Sequence, residues 1–205
     1  MTDPARKLTA TFAEYLAEEQ ASGTKHEHLD GRIYAMAGGS PEHGLIAVNV
    51  GGELRSQLRA SPCRVFSSDV RIRVRATGLA TYPDLSVVCG AVERDPEDEN
   101  TLVNPVVLVE VLSPSTEAYD RGEKFAHYRR IPSLREYVLV SQAKRRVEVF
   151  RRNEDGSWTL YEALYEALHE AAASSAVELT SIRCKLALDE VYRGVFEEPG
   201  GSAAG

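Results

Sequence analysis

Residues 105–112 form an apolar run, PVVLVEVL, that contains a single acid, Glu110. A run that is apolar on both faces is typical of a central strand covered on both sides. Burying an ionised carboxylate without a partner is costly. Glu110 is therefore neutral, paired with a cationic side chain, or bound to a metal ion, and these three alternatives imply different functions.

The composition is that of an ordinary globular protein. The chain has 205 residues, of which 43% are hydrophobic and 27% charged, enough for one core. We expect a single domain over residues 1–195 and a disordered tail over 196–205. No apolar run approaches the roughly 20 residues of a membrane helix. The N-terminus lacks the apolar core of a signal peptide, so a cytoplasmic location without membrane contact is expected.

The cysteines and the net charge argue against two classes of protein: those built on zinc or disulfide frameworks, and those that attract nucleic acid through their overall charge. Cys63, Cys89 and Cys184 lack zinc-ligand spacing, and their odd number argues against a disulfide framework. We interpret all three as small buried hydrophobic residues. The net charge of −7 disfavours broad, non-specific attraction to nucleic acid, so a nucleic-acid site requires a local basic face.

Sequence periodicity predicts a mixed α/β domain. Thr11 and Glu14 form a capping box that opens the first helix. Further helices are predicted over residues 41–60, 117–130 and 161–173. The inner stripe of the second helix is predicted to contain Leu45, Val48, Leu54 and Leu58. Strands are predicted within residues 26–36, 65–74, 84–89, 106–112, 137–150 and 177–188, and a charged, solvated loop over 93–100.

Four polar residues before and after the apolar run are candidates for a site with Glu110. Asp84 follows Pro83 at the head of a short strand, and Asp120, Lys124 and Tyr128 recur every four residues on the next helix. Residues four apart share one helix face, so two carboxylates and an ammonium group can converge. Two close carboxylates resist joint ionisation unless a cation lies between them. Such a site suits Mg²⁺-assisted hydrolysis of a phosphodiester.

Each of these residues also has a structural interpretation. Asp84 alone is compatible with a turn cap, and Glu110 alone with a buried arginine partner. Asp120 and Lys124 alone are compatible with a solvated helix pair worth a few tenths of a kcal/mol. Spacing alone leaves these alternatives open.

The strings YPDLSVV at 82–88 and VEVLSPST at 109–116, followed by Asp120, Lys124 and Tyr128, resemble the PD-(D/E)XK, or restriction-endonuclease-like, superfamily. They are most similar to a branch of small bacterial predicted endonucleases, abundant in cyanobacteria and formerly a domain of unknown function. The resemblance runs from about residue 11 to 192. It implies a restriction-endonuclease-like core, a mixed β-sheet flanked by helices.

The resemblance also implies a metal site. Asp84 and Glu110 match the two acidic metal ligands, and the carbonyl of Val111 is expected to add an oxygen to Mg²⁺, for which Mn²⁺ is a plausible substitute. The sequence departs from the superfamily pattern at Leu112, where a lysine is usual. The branch takes its lysine from the helix instead, which here implies Lys124.

Four further roles are assigned to residues from their positions in the sequence. Glu27 matches an early acidic position of the superfamily, Tyr128 is expected to support Lys124, and His43 to lie near the cleft. Arg71, Arg73 and Arg75 alternate along one strand face, where phosphate contacts are possible. The alternative is that these arginines balance nearby acids.

Three functions are therefore considered. The first is a Mg²⁺-dependent endonuclease that hydrolyses DNA, expected by analogy to be a homodimer. The second is a non-catalytic or latent protein on the same fold that binds DNA or a protein partner. Hydrolysis of a sugar linkage by two carboxylates is the third, but it gives Lys124 no role.

Overall fold

The computed structural model describes residues 9–36, 38–164 and 176–196. Two six-stranded sheets dominate these residues, together with a two-stranded hairpin. Both six-stranded sheets contain parallel and antiparallel pairs, so the mixed α/β class predicted from the sequence is confirmed.

The first sheet has the strand order β2-β1-β5-β4-β8-β7. Its strands are β1 (His26–Leu29), β2 (Arg32–Ala35), β4 (Arg71–Val74), β5 (Leu79–Thr81), β7 (Arg94–Asp95) and β8 (Asp98–Leu102).

The second sheet has the order β12-β11-β10-β9-β6-β3. Its strands are β3 (Cys63–Ser67), β6 (Leu85–Cys89), β9 (Val107–Leu112), β10 (Glu136–Ser141), β11 (Arg146–Arg152) and β12 (Trp158–Leu164). The hairpin is β13 (Ala176–Leu179) with β14 (Cys184–Ala187).

Few helices lie within the described ranges, and one helical segment is irregular. They are α1 (Phe12–Ala21), α2 (Pro41–Gln57), α3 (Glu117–Tyr119), α4 (Phe125–Tyr128) and α5 (Leu188–Val191). A π-helical turn, Asp120–Lys124, joins α3 to α4. The capping box at Thr11 and Glu14 is present. No helix in the described ranges has the length and apolar character needed to cross a membrane.

Strand β9 lies between two hydrophobic cores. Its odd-numbered valines pack into a core with α2 and α5, while Leu108 and Leu112 pack into a second core with α4. Successive side chains of a strand point to opposite faces, so Glu110 lies on the same face as Leu108 and Leu112. All six residues of β9 are buried. The prediction of a central strand covered on both faces is confirmed.

The buried stripe of α2 differs from the prediction in phase. Ile46, Val50 and Leu54 are buried, and Leu58 continues the stripe. Leu45 is 37% exposed and Val48 70% exposed, so these two assignments were wrong. Ile46, Val50 and Leu54 are four residues apart and lie on one helix face, which turns Leu45 and Val48 outward.

Tertiary pairing overrides several local predictions. Residues 65–74 do not form one strand, because they are divided between β3 and β4 in different sheets. Residues 93–100 are not a loop, since most of them form the β7–β8 hairpin. Residues 161–164 belong to β12, which pairs along its whole length with β11, so the predicted helix is wrong there. Its remainder and most of the predicted tail lie outside the described residues.

The end of the chain and two cysteines also differ from the prediction. Residues 177–188 form the hairpin β13–β14 and the start of α5 rather than one strand. Cys63 and Cys89 are directly opposite in the β3–β6 pair and form a disulfide. The interpretation of both as small buried hydrophobic residues without a disulfide is therefore wrong, because strand pairing brings them together. Cys184 is free and buried, as predicted.

Candidate active site

Asp84 and Glu110 lie side by side at the junction of the two sheets. Strands β6 and β9 are antiparallel, and Leu85 pairs with Val109, which places Asp84 opposite Glu110. The backbone N–H of Val111 donates to Asp84 Oδ2 at 2.7 Å. Pairing of these two strands therefore fixes the relative position of the two predicted metal ligands.

The ammonium group of Lys124 is buried among three carboxylates. Its Nζ lies 3.1 Å from Glu110 Oε1, 3.1 Å from Asp120 Oδ1 and 3.2 Å from Glu27 Oε1. The Lys124 side chain is only 6% exposed. The helix lysine thus lies beside the central acid, in the position that the sequence interpretation requires.

The π-helical turn determines how Lys124 enters the site. Both Asp120 and Lys124 are buried within this turn, and the Tyr137 hydroxyl donates to the Asp120 carbonyl at 3.1 Å. Single π-turns inside helices are frequent at functional sites. No residue pattern in the sequence predicts this turn, although the spacing of Asp120, Lys124 and Tyr128 correctly predicts a shared face.

Burial controls the protonation of the central pair. Burial raises the pKa of Glu110 to about 8, and the charges of Asp120 and Asp84 add to the effect, while Lys124 and the hydrogen bond from Tyr128 oppose it. Burial tends to lower the pKa of Lys124, but Glu110, Glu27 and Asp120 together raise it well above its usual value. Lys124 is therefore a firmly protonated cation.

Tyr128 supports Glu110 from the other end of the helix. Its hydroxyl donates to Glu110 Oε1 at 2.8 Å. The ring is fully buried, and burial together with the nearby charge of Glu110 raises the Tyr128 pKa well above its usual value. Tyr128 is thus a hydrogen-bond donor that fixes one oxygen of Glu110.

Glu27 enters the site from the first sheet. It is 8% exposed, and the Thr81 hydroxyl donates to its Oε1. Burial and the charge of Glu27 raise the pKa of Tyr119. Thr81 and Tyr119 escaped the sequence interpretation because neither lies in a recognisable motif, and only the meeting of the two sheets brings them to Glu27.

His43 reaches the site from the first turn of α2. Ser40 caps this helix through the His43 backbone N–H, and His43 Nε2 lies 3.3 Å from Asp84 Oδ2. The hydrogen bond with Asp84 is the main cause that raises the His43 pKa; burial opposes it, and the Val111 backbone contributes further. The structure places His43 at Asp84 and leaves its contact with DNA a prediction.

The donor set fits a hard divalent cation. Glu27, Asp84, Glu110 and Asp120 contribute four carboxylates, against the single ammonium of Lys124 and the imidazole of His43. Within the described residues, one oxygen each of Asp84 and Glu110 accepts the hydrogen bonds above, and the other makes none. No group of three or more His, Cys, Asp and Glu side chains there is arranged as a metal cage. Mg²⁺ commonly binds one or two carboxylates and keeps several waters, which suits Asp84, Glu110 and the Val111 carbonyl.

A cleft of about 1340 Å³ gives access to these residues. One wall is the outward face of α2, including Gly44, Val48 and Gly52, and the opposite wall is the β1–β2 hairpin. Gly51 packs against Leu85, since an added Cβ would lie 3.3 Å from Leu85 Cδ2. The small residues of α2 leave room for a large ligand beside Asp84.

The three alternating arginines do not form a free basic face. Arg71 is 8% exposed and pairs with Asp98 at 2.6 Å. Arg73 pairs with the buried Asp95 at 2.9 Å, and Arg75 contacts the same carboxylate at 3.3 Å. Acids of β7 and β8 therefore balance these charges, as the alternative interpretation of the three arginines expects. Contact of Arg71, Arg73 and Arg75 with DNA stays a prediction.

Comparison with known proteins gives a consistent result. The chain is 40% identical over 182 residues to the uncharacterized protein slr1290 of Synechocystis sp., covering 89% of this chain and 90% of that protein. It is 33% identical over 154 residues to the uncharacterized protein sll1609 of the same organism, covering 75% and 87%.

A crystal structure of a putative nuclease belonging to DUF820, from Anabaena variabilis, matches with a TM-score of 0.67 at 18% identity, covering 89% of this chain and 99% of that one. The fold is therefore that of this nuclease structure, consistent with the PD-(D/E)XK resemblance. A family model described as Uma2, putative restriction endonuclease, matches residues 12–186. The chain belongs to the Uma2 family of putative restriction endonucleases.

Proposed function

We propose that the protein is a Mg²⁺-dependent endonuclease that hydrolyses phosphodiester bonds of DNA. The observation that carries the proposal is the buried ammonium of Lys124, 3.1 Å from Glu110 Oε1 beside Asp84. Membership of a putative restriction-endonuclease family supports the same activity. A homodimer and a cytoplasmic location remain predictions.

The residues of the site have distinct roles in this proposal. Asp84, Glu110 and the Val111 carbonyl would hold the cation. When bound, the cation would polarise the scissile phosphate and lower the pKa of a water molecule. Tyr128 and the Val111 N–H orient the two carboxylates through their hydrogen bonds. Glu27, held by Thr81, positions Lys124 from the first sheet.

The protonation of Lys124 defines its part in the reaction. Because three carboxylates raise its pKa, Lys124 retains its proton and is a poor general base. Its charge instead stabilises the negative charge that develops on the phosphate oxygens in the transition state. We propose Lys124 as an electrostatic group rather than as the group that deprotonates water.

The proposal is tested by cleavage of supercoiled plasmid with and without Mg²⁺. Asp84→Asn is expected to lower the rate by about 10³-fold, because a metal ion supplies several kcal/mol of transition-state stabilisation. Asp189→Asn, at a 73% exposed carboxylate on α5, is the matched control and should cleave like the wild type. Equal activity in Asp84→Asn and wild type would show that the activity comes from a contaminant.

A parallel assay separates the second candidate. If Mg²⁺ binds in calorimetry but neither DNA nor RNA is cleaved, the protein is a binding protein on a nuclease fold. Loss of that heat in Asp84→Asn would place the ion at this site.

A further inference from the structure

A cluster of four arginines lies away from the carboxylates of the active site. This arginine patch consists of Arg129, Arg130, Arg135 and Arg152. Arg129 and Arg130 directly follow α4, Arg135 precedes β10, and Arg152 ends β11. The backbone N–H of Arg152 donates to the Arg135 carbonyl at 2.9 Å, and the Arg152 guanidinium donates to the Arg129 carbonyl. The four side chains therefore originate from one small region.

The positive charge of the arginine patch is not balanced by acids. Several arginines elsewhere form ion pairs, as Arg71 does with Asp98 and Arg121 with Glu148. Within the part of the chain that the structure describes, none of the four patch arginines forms an ion pair. Arg152 donates hydrogen bonds only to backbone carbonyls, and its buried Nε has no hydrogen-bond partner among the described residues. Its guanidinium lies over the Trp158 ring, 5.0 Å from the ring centre. Burial and the nearby charge of Arg135 lower the Arg152 pKa.

An aromatic pocket of about 700 Å³ adjoins the patch. Its wall includes Phe125, Phe150 and Trp158, and its rim includes Arg129 and Arg130. The indole of Trp158 meets Phe125 edge-on, with ring centres 5.3 Å apart. This volume is within the usual range for small-molecule sites.

The pocket faces away from the active site. Lys124 and Phe125 are consecutive, yet Lys124 contacts Glu110 whereas Phe125 packs on Phe150 at 4.5 Å. A ligand in the pocket therefore does not compete with the carboxylates for the scissile phosphate.

We infer that this pocket binds a nucleotide, with its phosphate on Arg129 and Arg130 and its base against the aromatic wall. Single-strand binding proteins combine a cationic track for phosphates with aromatic rings for bases, and unpaired arginines beside Trp158 provide both. The ligand is either a nucleotide of a single strand or a free mononucleotide. The inference goes beyond cleavage, since it requires no metal ion.

Trp158 provides a direct readout because it is the only tryptophan in the chain. Its fluorescence is titrated in EDTA with a single-stranded oligothymidylate and, separately, with thymidine monophosphate. Quenching is expected to saturate with one or both ligands. Quenching by both at similar concentrations identifies a mononucleotide site, and quenching by the oligonucleotide alone identifies a strand site.

Two double variants test whether the patch arginines bind the phosphate. Arg129→Ala/Arg130→Ala is expected to weaken oligonucleotide or mononucleotide binding by about tenfold or more. For the oligonucleotide, the slope of the logarithm of the binding constant against the logarithm of the salt concentration should become shallower by about 0.7, since the two arginines hold one phosphate and each single-strand phosphate contact contributes about 0.7. Arg32→Ala/Arg59→Ala removes two exposed arginines elsewhere and should bind like the wild type.

The inference is overturned if neither ligand quenches Trp158, or if the control pair loses as much affinity as the patch pair. Its failure is separable from that of the nuclease proposal. If the wild type cleaves plasmid but neither ligand quenches Trp158, only the proposed nucleotide pocket is overturned. If Trp158 is quenched but plasmid is not cleaved, only the proposed nuclease activity is overturned.

Discussion

Glu110→Gln is expected to abolish Mg²⁺-dependent cleavage and, at the same time, to stabilise the metal-free protein at pH 8. The folded state holds the proton of Glu110 up to a pKa of about 8, against an ordinary value of 4.5. Between these values the unfolded chain releases a proton that the folded protein retains. The stability of the wild type therefore falls as pH rises through this window, by up to about 1.4 kcal/mol per pH unit.

The glutamine variant lacks this pH dependence because its amide does not titrate. Its side chain is nearly isosteric and still accepts the hydrogen bond from Tyr128. Urea denaturation in EDTA at pH 5, 6.5 and 8 should show a difference in the free energy of unfolding that grows with pH and reaches on the order of 4 kcal/mol in favour of the variant at pH 8. Glu154→Gln, at an exposed turn, should follow the wild type at all three values. A glutamine variant that is less stable than the wild type at pH 8 would contradict this account.

Metal binding should restore the folding stability that is lost when Glu110 ionises. Ligands must lose their protons to bind a cation, so Mg²⁺ should bind more tightly as pH rises toward 8. Mg²⁺ should accordingly raise the unfolding midpoint of the wild type and leave that of Glu110→Gln unchanged. Under the proposed function, Glu110 would lower the stability of the metal-free protein in exchange for metal binding, a trade-off that is common at active sites.

The sequence predicted which residues of the candidate site meet better than it predicted the elements around them. Asp84, Glu110 and Lys124 were identifiable because each is a polar group where packing favours an apolar one, and because strand pairing and helix spacing have fixed geometry. The convergence of Glu27 with Lys124 was assigned only by resemblance. This convergence depends on the packing of β1 and β5 against the second sheet. Such long-range packing cannot be predicted from local sequence patterns.

The differences between the sequence patterns and the structure share one physical cause. The end of β12 has a helical pattern, YEALYEAL, yet residues 161–164 pair with β11 because the sheet supplies partners for their backbone. Arg71 and Arg73 alternate like a surface stripe, yet β7 and β8 cover them with acids. Cys63 and Cys89 are 26 residues apart and meet only through β3–β6 pairing. Long-range pairing, not intrinsic propensity, decides each case.

Lys124→Met is expected to cause the largest loss of stability. The substitution keeps the length of the side chain but leaves Glu27, Glu110 and Asp120 buried around an apolar group. Removing one partner of a buried ion pair typically costs about 3–5 kcal/mol. Urea denaturation at pH 7 should show a loss of this size, whereas Lys185→Met, at an exposed strand position, should change little.

The pH dependence of this loss identifies its origin. Without the ammonium, repulsion and burial raise the pKa values of the three carboxyls, so they take up protons as pH falls and the penalty shrinks. The gap between Lys124→Met and wild type should therefore narrow from pH 7 to pH 5. A gap that is constant with pH would mean that lost packing, rather than charge, destabilises the variant.

A double variant separates structure from catalysis at Lys124. At pH 9, where Glu110 of the wild type is ionised beside the still protonated Lys124, the loss of Lys124 leaves this carboxylate uncompensated. Lys124→Met/Glu110→Gln should therefore be more stable at pH 9 than the sum of the two single changes predicts, by about 1–3 kcal/mol. Lys124→Met at pH 6, with Mg²⁺ and at a temperature where it is folded, should still cleave at least about 100-fold more slowly than the wild type. A folded Lys124→Met that cleaves at the wild-type rate would reduce the lysine to a structural counter-ion, and the transition-state charge would then have to be stabilised by the cation alone.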